Sequence, residues 1–380
     1  MLKKRINTNK KMRILFFIES LHAGGKERRL VELLSYLKNN PKLELFLVLT
    51  KHDIHYKIFL KLGIPYVILE RESLVKNLQI FYKFYKICKS FNPDIIHTWG
   101  NIVSFYSLPT VILQKIFLVN SQISNAPRKI SKCSKLYIMS KINFAFSKLI
   151  LSNSVAGLKS YNIKTKKGKV IYNGFDLRRF KNLPDKNKVK LKYEITTPYL
   201  LIMVASFSEM KDYNKYIDVA KEISSIRKDV TFLAVGSGIY LEKMKNRVQN
   251  EHIPNVSFTG KLDYVEPLIS ISDIGILFSP NGEGISNSIM EYMALEKPVI
   301  ASDSGGTKEI VKHDVIGYLI TNESPRKIAE LIDGLLNNSK KRLKMGRTGG
   351  KLIMESFTID RMGREFEDVY FKLIGAKNLL

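Results

Sequence analysis

A regular alternation of short apolar runs with amphipathic segments is the feature that most constrains how these 380 residues can fold. Residues 12–18 form a run of β-branched and aromatic residues. A Gly-Gly pair follows this run, and leucines at helical spacing come next. A strand, a glycine turn and a helix in this order are typical of the opening of a doubly wound parallel sheet. A second series of the same kind begins at Tyr199. The sequence therefore predicts an α/β protein with two consecutive Rossmann-like domains, over about residues 12–175 and 182–355.

Composition indicates the broad class of the protein. The chain is long enough for two domains with separate cores, and 45% of its residues are hydrophobic. No uninterrupted apolar run reaches the roughly 18 residues of a membrane-spanning helix, and the polar, basic start of the chain is unlike a signal peptide. Cys88 and Cys133 lack metal-ligand spacing, which favours packing roles in a reducing compartment. We therefore expect a globular, cytoplasmic protein.

Charge is distributed unevenly along the chain. The net charge is +27, and residues 1–180 hold 33 Lys and Arg against 9 Asp and Glu. Residues 181–380 hold 29 basic and 26 acidic residues, and no acidic residue occurs between Asp94 and Asp176. Codon bias would act on both halves, so it does not explain this asymmetry. The first half is therefore expected to face an anionic partner.

Two glutamates, eight positions apart, mark the strongest candidate site. Glu283 follows the apolar run 274–278, which is typical of a buried parallel strand, and Glu291 lies about one turn inside the next helix. The backbone amides of Gly284 to Ser288 then point outward from a helix N-terminus, where phosphate commonly binds. A carboxylate beside them can accept hydrogen bonds from the two hydroxyls of a ribose. The pattern predicts a pocket for a nucleotide sugar.

The same segment resembles a known signature. The Glu-x7-Glu pair, with Lys-Pro-Val-Ile-Ala at 297–301 and Gly-Gly-Thr-Lys-Glu at 305–309, resembles the donor-site region of family 4 retaining glycosyltransferases. The block Asn-Gly-Phe-Asp at 173–176 resembles the segment that ends the first domain in that family. The resemblance implies the GT-B fold, in which two Rossmann-like domains face each other across a cleft.

The resemblance also implies domain boundaries and an activity. Residues 1–178 would form an N-terminal acceptor-binding domain, 179–357 a nucleotide-sugar-binding domain, and 358–380 a helix that returns to the first domain. The implied reaction is retaining transfer of a hexose from a nucleotide-diphosphate sugar to a lipid-linked or polysaccharide acceptor. Such reactions build bacterial surface polysaccharides, either lipopolysaccharide or capsule. Glu283 would contact hydroxyls of the donor sugar, and Glu291 would contact the ribose.

Lys211 is a second candidate catalytic residue beside Glu283, since it lies just past the first strand of the second series. It falls on the lysine of the family's Gly-Arg-x5-Lys element, whose two cations neutralise the departing diphosphate. Ala205 and Ser206 stand where the family has Gly-Arg. One lysine supplies point charge to phosphate. Either another basic residue compensates, or helix amides carry more of the stabilisation.

Glycine turns complete the implied donor site. Gly24 and Gly25 match the family's glycine-rich first loop, where bare backbone lets a diphosphate or an acceptor approach closely. Gly236 lies in the glycine turn of the second series, near the base or ribose. Lys261 ends a segment that resembles the one reading the nucleobase, and aliphatic packing explains that segment equally well. The implied donor-binding residues are Gly24, Gly25, Ser206, Lys211, Gly236, Lys261, Glu283, Gly284, Ile285, Ser286, Asn287, Ser288 and Glu291.

His97, the third candidate catalytic residue, has two interpretations. It ends a predicted strand of the first domain, where it would face the cleft. The family often places another histidine two residues later, where Trp99 stands, and a further one where this chain has Asn120 or Ser121. His97 therefore either binds the acceptor hydroxyl or is a structural histidine, and the sequence leaves both open.

Metal ligands of the usual kind are missing from the sequence. No Asp-x-Asp pair occurs in the chain, although sites that hold a nucleotide diphosphate through Mg²⁺ or Mn²⁺ generally need such oxygen ligands. We therefore expect a metal-independent site with no cofactor besides the nucleotide-sugar donor.

Two segments, 74–91 and 132–150, interleave lysines with aromatic residues. Basic helices of this kind suit an anionic lipid surface. We therefore expect peripheral contact of the N-terminal domain with the inner face of the plasma membrane. The alternative is that the apolar faces of these helices pack on the sheet and their lysines are solvated.

Two other function classes remain open at this point. A nucleotide-sugar epimerase could have the same two-domain architecture, but it would not need a membrane-directed basic domain. A nucleic-acid-binding protein would explain the charge but not the Glu-x7-Glu site, and no recognised nucleic-acid module is present. We expect no nucleic-acid partner.

Overall fold

The computed structural model describes residues 11–70 and 78–377. The basic segment that begins the chain and residues 74–77 of the predicted membrane segment, with Lys76, lie outside these ranges. The chain divides into two compact units, each of which is described by itself. Unit 1 is formed by residues 1–124, 129–174 and 359–380, and unit 2 by residues 125–128 and 175–358.

Unit 1 alternates strands and helices, as the sequence predicts. Its strands are β1 (Met12–Phe17), β2 (Leu43–Leu49), β3 (Tyr66–Ile68), β4 (Ile95–Thr98), β5 (Phe117–Ile123), β6 (Leu149–Ser152) and β7 (Gly168–Val170). Its helices up to that point are α1 (Gly25–Leu37), α2 (Leu78–Phe91), α3 (Asn101–Gln114), α4 (Lys135–Phe146) and α5 (Val155–Ser160). In its described residues the sheet is parallel, with the order β3-β2-β1-β4-β5-β6-β7.

The core of unit 1 covers both faces of this sheet. Ile14 and Phe16 of β1 belong to one buried cluster, and Leu15 and Phe17 belong to another. Successive side chains of a strand point to opposite faces, so a strand covered on both sides needs apolar residues at every position. This explains why Ile14 to Phe17 of the first strand form a continuous apolar run rather than an alternating one.

Unit 2 repeats the pattern. Its strands are β8 (Tyr199–Val204), β9 (Val230–Val235), β10 (Val256–Gly260), β11 (Ile274–Leu277), β12 (Val299–Ser302) and β13 (Gly317–Ile320). Its helices are α6 (Lys186–Lys192), α7 (Tyr213–Ile226), α8 (Leu241–Asn250), α9 (Glu266–Ile271), α10 (Asn287–Ala294), α11 (Thr307–Ile310), α12 (Pro325–Asn337) and α13 (Ser339–Ser356). The parallel sheet has the order β10-β9-β8-β11-β12-β13.

The last helix, α14 (Ile359–Lys377), belongs to unit 1. Phe366 and Tyr370 are fully buried in the cluster that also contains Phe16. Gly363 lies directly against the ring of Tyr36 on α1, so closely that an added Cβ would lie 2.2 Å from that ring. The C-terminal residues therefore complete the core that the first strand begins.

Both sheets reverse their strand order at one point, between β1 and β4 in unit 1 and between β8 and β11 in unit 2. Ligands of doubly wound proteins bind outside the carboxyl ends of the strands at such a point. The prediction of an α/β fold with two doubly wound parallel sheets is confirmed.

Candidate functional site

In unit 2, two loops meet at the carboxyl ends of β8 and β11. The backbone N–H of Asp212, in the loop after β8, donates to the carbonyl of Phe278, in the loop after β11, at 3.0 Å. Asp212 also caps α7, since its side chain accepts from the amide of Lys215. These bonds hold Lys211, the residue before Asp212, close to the loop that follows β11.

Lys211 and Glu283 form an ion pair at this junction. Each side chain is 13% exposed, so the pair is mostly buried but still reaches solvent. The hydroxyl of Ser279 lies 3.0 Å from Oε1 of Glu283 and 2.9 Å from the carbonyl of Met210, which ties the two loops together again. The sequence singled out both charged residues separately, and the structure places them in direct contact.

Burial changes the electrostatics of this pair. Desolvation lowers the pKa of Lys211 to about 7, because the charged amine loses water. The adjacent carboxylate of Glu283 acts in the opposite direction, because it favours the charged amine. The Lys211 amine therefore depends on the carboxylate of Glu283 to remain charged in this buried place.

The backbone of Glu283 is fixed by the turn before α11. Gly305 has a φ of 58°, and an added Cβ would lie 2.0 Å from the carbonyl oxygen of Glu283. That carbonyl accepts a 2.7 Å hydrogen bond from the amide of Gly306. Only glycine allows this approach without strain. The Gly-Gly pair at 305–306 therefore positions the glutamate loop.

The N-terminus of α10 lies between the two glutamates. Gly284, Ile285 and Ser286 are buried, and Ser286 occupies the N-cap position without forming a side-chain cap. The hydroxyl of Ser288, in the first turn, donates to the carbonyl of Val204 at the end of β8 at 2.6 Å. Helix N-termini favour anions because their first amides have no intrahelical acceptor.

Glu291 is buried one turn further along α10, with its side chain 2% exposed. Its Oε1 lies 3.1 Å from Nη2 of Arg179, and the same guanidinium contacts Glu266 at the start of α9. Neither Arg179 nor Glu266 was predicted from the sequence. The only available signal for Arg179 was its position three residues after the Asn-Gly-Phe-Asp block at 173–176.

The remaining implied donor residues of unit 2 occupy strand ends. Gly236, just after β9, lies so close to Ala205 that an added Cβ would be 1.9 Å from its carbonyl oxygen. Close backbone packing therefore explains this glycine. Ser206 is exposed, with its hydroxyl 3.1 Å from that of Ser208. Lys261 is exposed just past β10.

In unit 1, the predicted glycine-rich loop is the start of α1. Gly24 is the N-cap residue and Gly25 the first helical residue. An added Cβ at Gly24 would meet the carboxylate of Glu27 at 2.2 Å. Lys26 pairs with Glu19, at 3.1 Å, directly after β1. The loop therefore brings backbone and charged side chains to the strand-order reversal of this sheet.

His97 is fully buried in the core of unit 1. Its Nδ1 lies 2.7 Å from the hydroxyl of Tyr370, and its Nε2 lies 2.7 Å from the hydroxyl of Ser121. Burial, and secondarily the charge of Arg29, lower the pKa of His97 well below its usual range. Both ring nitrogens thus have partners inside the protein, and the ring does not present itself to a ligand.

This geometry supports the structural interpretation of His97 and corrects the expectation that it faces an open site. The reason is the face of β4 on which it lies. Ile95 and Trp99 share that face, and α14 covers it with Phe366 and Tyr370. Ser121, which stands near the position of a further family histidine, is the partner of the imidazole.

The described residues contain neither a cluster of metal ligands nor a membrane-spanning helix. Within residues 11–70 and 78–377, no group of three or more His, Cys, Asp and Glu is arranged to hold a metal ion. Over the same part of the chain, no helix is both long and apolar enough to cross a bilayer.

Comparison with known proteins places this geometry in context. Residues 185–352 match the family described as Glycosyl transferases group 1. The chain is 28% identical over 208 residues to N-acetyl-alpha-D-glucosaminyl L-malate synthase of Bacillus anthracis, covering 54% of this chain and 53% of that protein. It is 26% identical over 208 residues to a GDP-mannose-dependent monoacylated alpha-(1-6)-phosphatidylinositol monomannoside mannosyltransferase of Corynebacterium glutamicum, covering 52% and 54%. The chain thus spans about half the length of the curated relatives it matches.

Similarity to solved structures extends over nearly the whole chain. HepE of Anabaena, solved in complex with UDP and glucose, matches with a TM-score of 0.83 at 19% identity, over 94% of this chain and 99% of that one. Identity at this level shows the fold alone, and that fold contains two doubly wound α/β units. The chain therefore has the GT-B fold, and its residues 185–352 match the family Glycosyl transferases group 1.

Proposed function

We propose that this protein is a retaining, metal-independent glycosyltransferase that moves a hexose from a nucleotide-diphosphate sugar to an acceptor hydroxyl. The observation that carries the proposal is the Lys211–Glu283 ion pair at the β8/β11 reversal, beside the N-terminus of α10. One cation and a helix N-terminus suit a diphosphate. The carboxylate suits the hydroxyls of a sugar. The names of the relatives support the same class of activity.

Donor binding exchanges the partners of the ion pair. An incoming diphosphate offers oxygens to the ammonium of Lys211, so the carboxylate of Glu283 is released to accept hydrogen bonds from the donor sugar. The α10 amides around Ser286 to Ser288 bind further phosphate oxygens. Glu291 accepts from the ribose hydroxyls. The glutamates then act on different parts of one donor.

The chemical step breaks the bond between the anomeric carbon and the diphosphate oxygen. The acceptor oxygen bonds to that carbon on the same face, and its proton passes to the departing diphosphate oxygen. Negative charge therefore grows on the diphosphate in the transition state. Lys211 and the amides of α10 stabilise that charge, which is the kind of preorganised electrostatic effect that contributes most in enzymes.

The first experiment incubates the protein with a panel of nucleotide sugars, with and without added acceptors. Donor-dependent release of the nucleoside diphosphate supports a transferase, whereas conversion of one free nucleotide sugar into another would support the epimerase. No comparison supports the epimerase. Absence of binding and of turnover with every donor would overturn the proposed activity.

Metal independence is tested in the same assay. Because Lys211 and the α10 amides take the place of a cation, EDTA should leave turnover unchanged. Complete loss of turnover in EDTA, restored by Mg²⁺ or Mn²⁺, would contradict this account of diphosphate binding.

We further propose a lipid-linked or polysaccharide acceptor, used in the synthesis of lipopolysaccharide or capsule. The Corynebacterium glutamicum relative acts, by its name, on a phosphatidylinositol mannoside, which is a lipid. We propose that the protein works in the cytoplasm as a peripheral protein on the inner face of the plasma membrane. The basic first half of the chain supports this location.

Helix α4 is the best candidate for the membrane contact. Ile138, Ile142 and Phe146, four residues apart along one side of the helix, are 49%, 40% and 49% exposed, and Leu136 near its start is 66% exposed. Lys132 and Lys135 are exposed at the start of the helix. An exposed apolar stripe beside lysines, in a segment without acidic residues, fits an anionic bilayer.

Helix α2 differs from α4. Its inner face, with Ile80, Phe84 and Cys88, is buried, whereas Leu78 and Tyr82 are exposed together with Lys83, Lys86 and Lys89. This is the ordinary amphipathic pattern that the sequence left as the alternative. Two lysines of the 132–150 segment also have internal partners, since Lys141 donates to the carbonyl of Tyr161 and Lys148 lies over the ring of Phe117.

The membrane proposal is tested by sedimentation with phosphatidylcholine vesicles, with and without phosphatidylglycerol. The intact protein should bind only the anionic vesicles, less at high salt because the Debye length falls from about 10 Å at 0.1 M to about 3 Å at 1 M. The variant Leu136→Gln/Ile142→Gln/Phe146→Gln should lose the part of the vesicle binding that resists salt. The variant Lys132→Gln/Lys135→Gln should lose the part that salt weakens. The control Leu191→Gln/Ile239→Gln changes exposed apolar residues of unit 2 and should bind normally. Equal, negligible binding to both vesicles would remove the claim.

A further inference from the structure

Two buried carboxylates share one guanidinium in unit 2. The side chains of Glu266 and Glu291 are 1% and 2% exposed, and both contact Nη2 of Arg179. Arg179 and Glu291 are far apart in the sequence, since Arg179 lies 112 residues before Glu291. The arrangement exists only because the start of α9, the first turns of α10 and the segment before α6 meet in space.

Arg179 is held in place by its own segment. It lies in the short 3-10 turn Leu177–Phe180, which Asp176 caps by accepting from the amide of Arg178 at 3.0 Å. The rings of Phe175 and Phe180 stack with centroids 5.0 Å apart, and the guanidinium lies over Phe175 at 5.3 Å. The cation is therefore fixed by aromatic packing as well as by its two carboxylates.

Two carboxylates meet one guanidinium in a buried place, which is a costly arrangement for a purely structural role. In addition, Nη1 of Arg179 is buried and has no hydrogen-bond partner in the described part of the chain. A vicinal diol matches both features, because each hydroxyl can donate to a carboxylate and accept from an N–H.

We propose that Arg179 and Glu266 are positioning residues for the donor ribose: Arg179 fixes the carboxylate of Glu291, and Glu266 fixes Arg179. The inference rests on the proposed function in one respect, namely that Glu291 receives the ribose hydroxyls. Ribose recognition then depends on two residues, Arg179 and Glu266, that the Glu-x7-Glu pattern does not contain.

The test is calorimetric titration with UDP, GDP and ADP, using whichever the intact protein binds. Arg179→Gln should weaken binding by about 10- to 100-fold, the range for losing a hydrogen bond to a charged group. Arg179→Lys and Glu266→Gln are milder changes that should each weaken it by roughly 3- to 10-fold. The matched control is Arg178→Gln, which changes the adjacent, 70% exposed arginine and should bind normally.

A 2′-deoxy form of the same nucleotide separates positioning from general destabilisation. If Arg179 acts through Glu291 on the ribose, Arg179→Gln should cost less affinity for the deoxy nucleotide than for the ribonucleotide. The same substitution should cost almost no affinity in a Glu291→Gln background. Equal losses for both nucleotides, with a lower melting temperature, would show a merely structural role and overturn the inference. If Arg179→Gln does not fold, Arg179→Lys and Glu266→Gln decide by the same comparison.

The two proposals fail in different ways. If the intact protein binds no nucleoside diphosphate, the proposed function is overturned and the inference with it. If the intact protein binds one and the Arg179 and Glu266 variants bind it equally well, only the inference is overturned.

Discussion

The two units have the same strand order around their first strand, yet they place their charges differently. In unit 2, mostly buried charged side chains pair with one another, as Lys211 does with Glu283 and Arg179 with Glu291. In unit 1, Lys26 pairs with Glu19 after β1, but the titratable group at the end of β4, His97, is enclosed by the core, and many lysines lie on the surface. A shared topology therefore provides a place for a site but does not determine which unit uses it for polar chemistry.

The largest effect is expected from Lys211→Ala, which should lower turnover by about 100- to 1000-fold because the departing diphosphate loses its matched cation. The measurement is donor-dependent release of nucleoside diphosphate under saturating donor. Lys243→Ala, at an exposed position on α8, is the matched control. Near-full activity of Lys211→Ala would mean that unit 2 does not use its strand-end ion pair in this way, and the contrast between the units would lose its basis.

Glu291→Ala should come next, with donor affinity weakened by about 1.5–3 kcal/mol as the ribose loses a charged acceptor. Glu283→Ala should instead lower turnover more than nucleotide affinity, since its proposed contact is with the transferred sugar. Calorimetry with the nucleoside diphosphate and steady-state kinetics together distinguish the two. Unchanged affinity in a folded Glu291→Ala protein would refute the ribose role.

The buried His97 predicts how the stability of the protein depends on pH, and this tests the comparison in unit 1. Because its pKa in the folded protein lies well below the ordinary value of 6.5, the unfolded chain binds a proton below pH 6.5 that the folded chain does not. Stability should therefore fall as the pH drops below about 6.5, by up to about 1.4 kcal/mol for each pH unit.

The measurement is urea unfolding of the wild type and of His97→Gln at neutral and acidic pH. The variant should lack this part of the acid dependence, and His52→Gln controls for loss of an exposed imidazole in the same unit. If His97→Gln abolishes turnover while stability and its pH dependence stay the same, the histidine is catalytic and unit 1 does contribute polar chemistry at this position.

The smallest effect is expected from Ser206→Arg. Ser206 is exposed at the end of β8, so an arginine can be placed there without disturbing the core. Turnover should stay within a few-fold of wild type, or rise if the second cation of the family element is simply missing. A severe loss in a folded variant would show that the serine itself is required, which the account of unit 2 does not foresee.

The sequence was sufficient for the fold, and it singled out several of the residues that form the candidate site. Apolar runs of strand length, glycine turns and helical periodicity predicted both sheets, and strand-end logic located Lys211, Glu283 and Glu291. It could not show that Lys211 and Glu283 touch, because that contact depends on a backbone hydrogen bond between two distant loops. Arg179 and Glu266 could not be predicted for the same reason, since the contacts of Arg179 with Glu266 and Glu291 join distant parts of the chain.

The sequence also could not show what covers each face of an element. The side chain of His97 lies on the face of β4 that α14 happens to cover, which a four-residue strand gives no means of predicting. Similarly, α2 and α4 both carry lysines and aromatic residues, but α2 buries its apolar side and α4 exposes much of it. Packing partners, rather than periodicity, decide such questions.

The membership of α14 in unit 1 has a consequence for synthesis on the ribosome. Phe366 and Tyr370 fill the core that Phe16 begins, so this core cannot close until the end of the chain emerges. Residues 175–358 of unit 2 are translated in between, which takes about 10 to 40 s at typical rates of synthesis. The nascent first unit therefore stays incomplete for that time, and the apolar surface that α14 later covers is open to contacts with other chains.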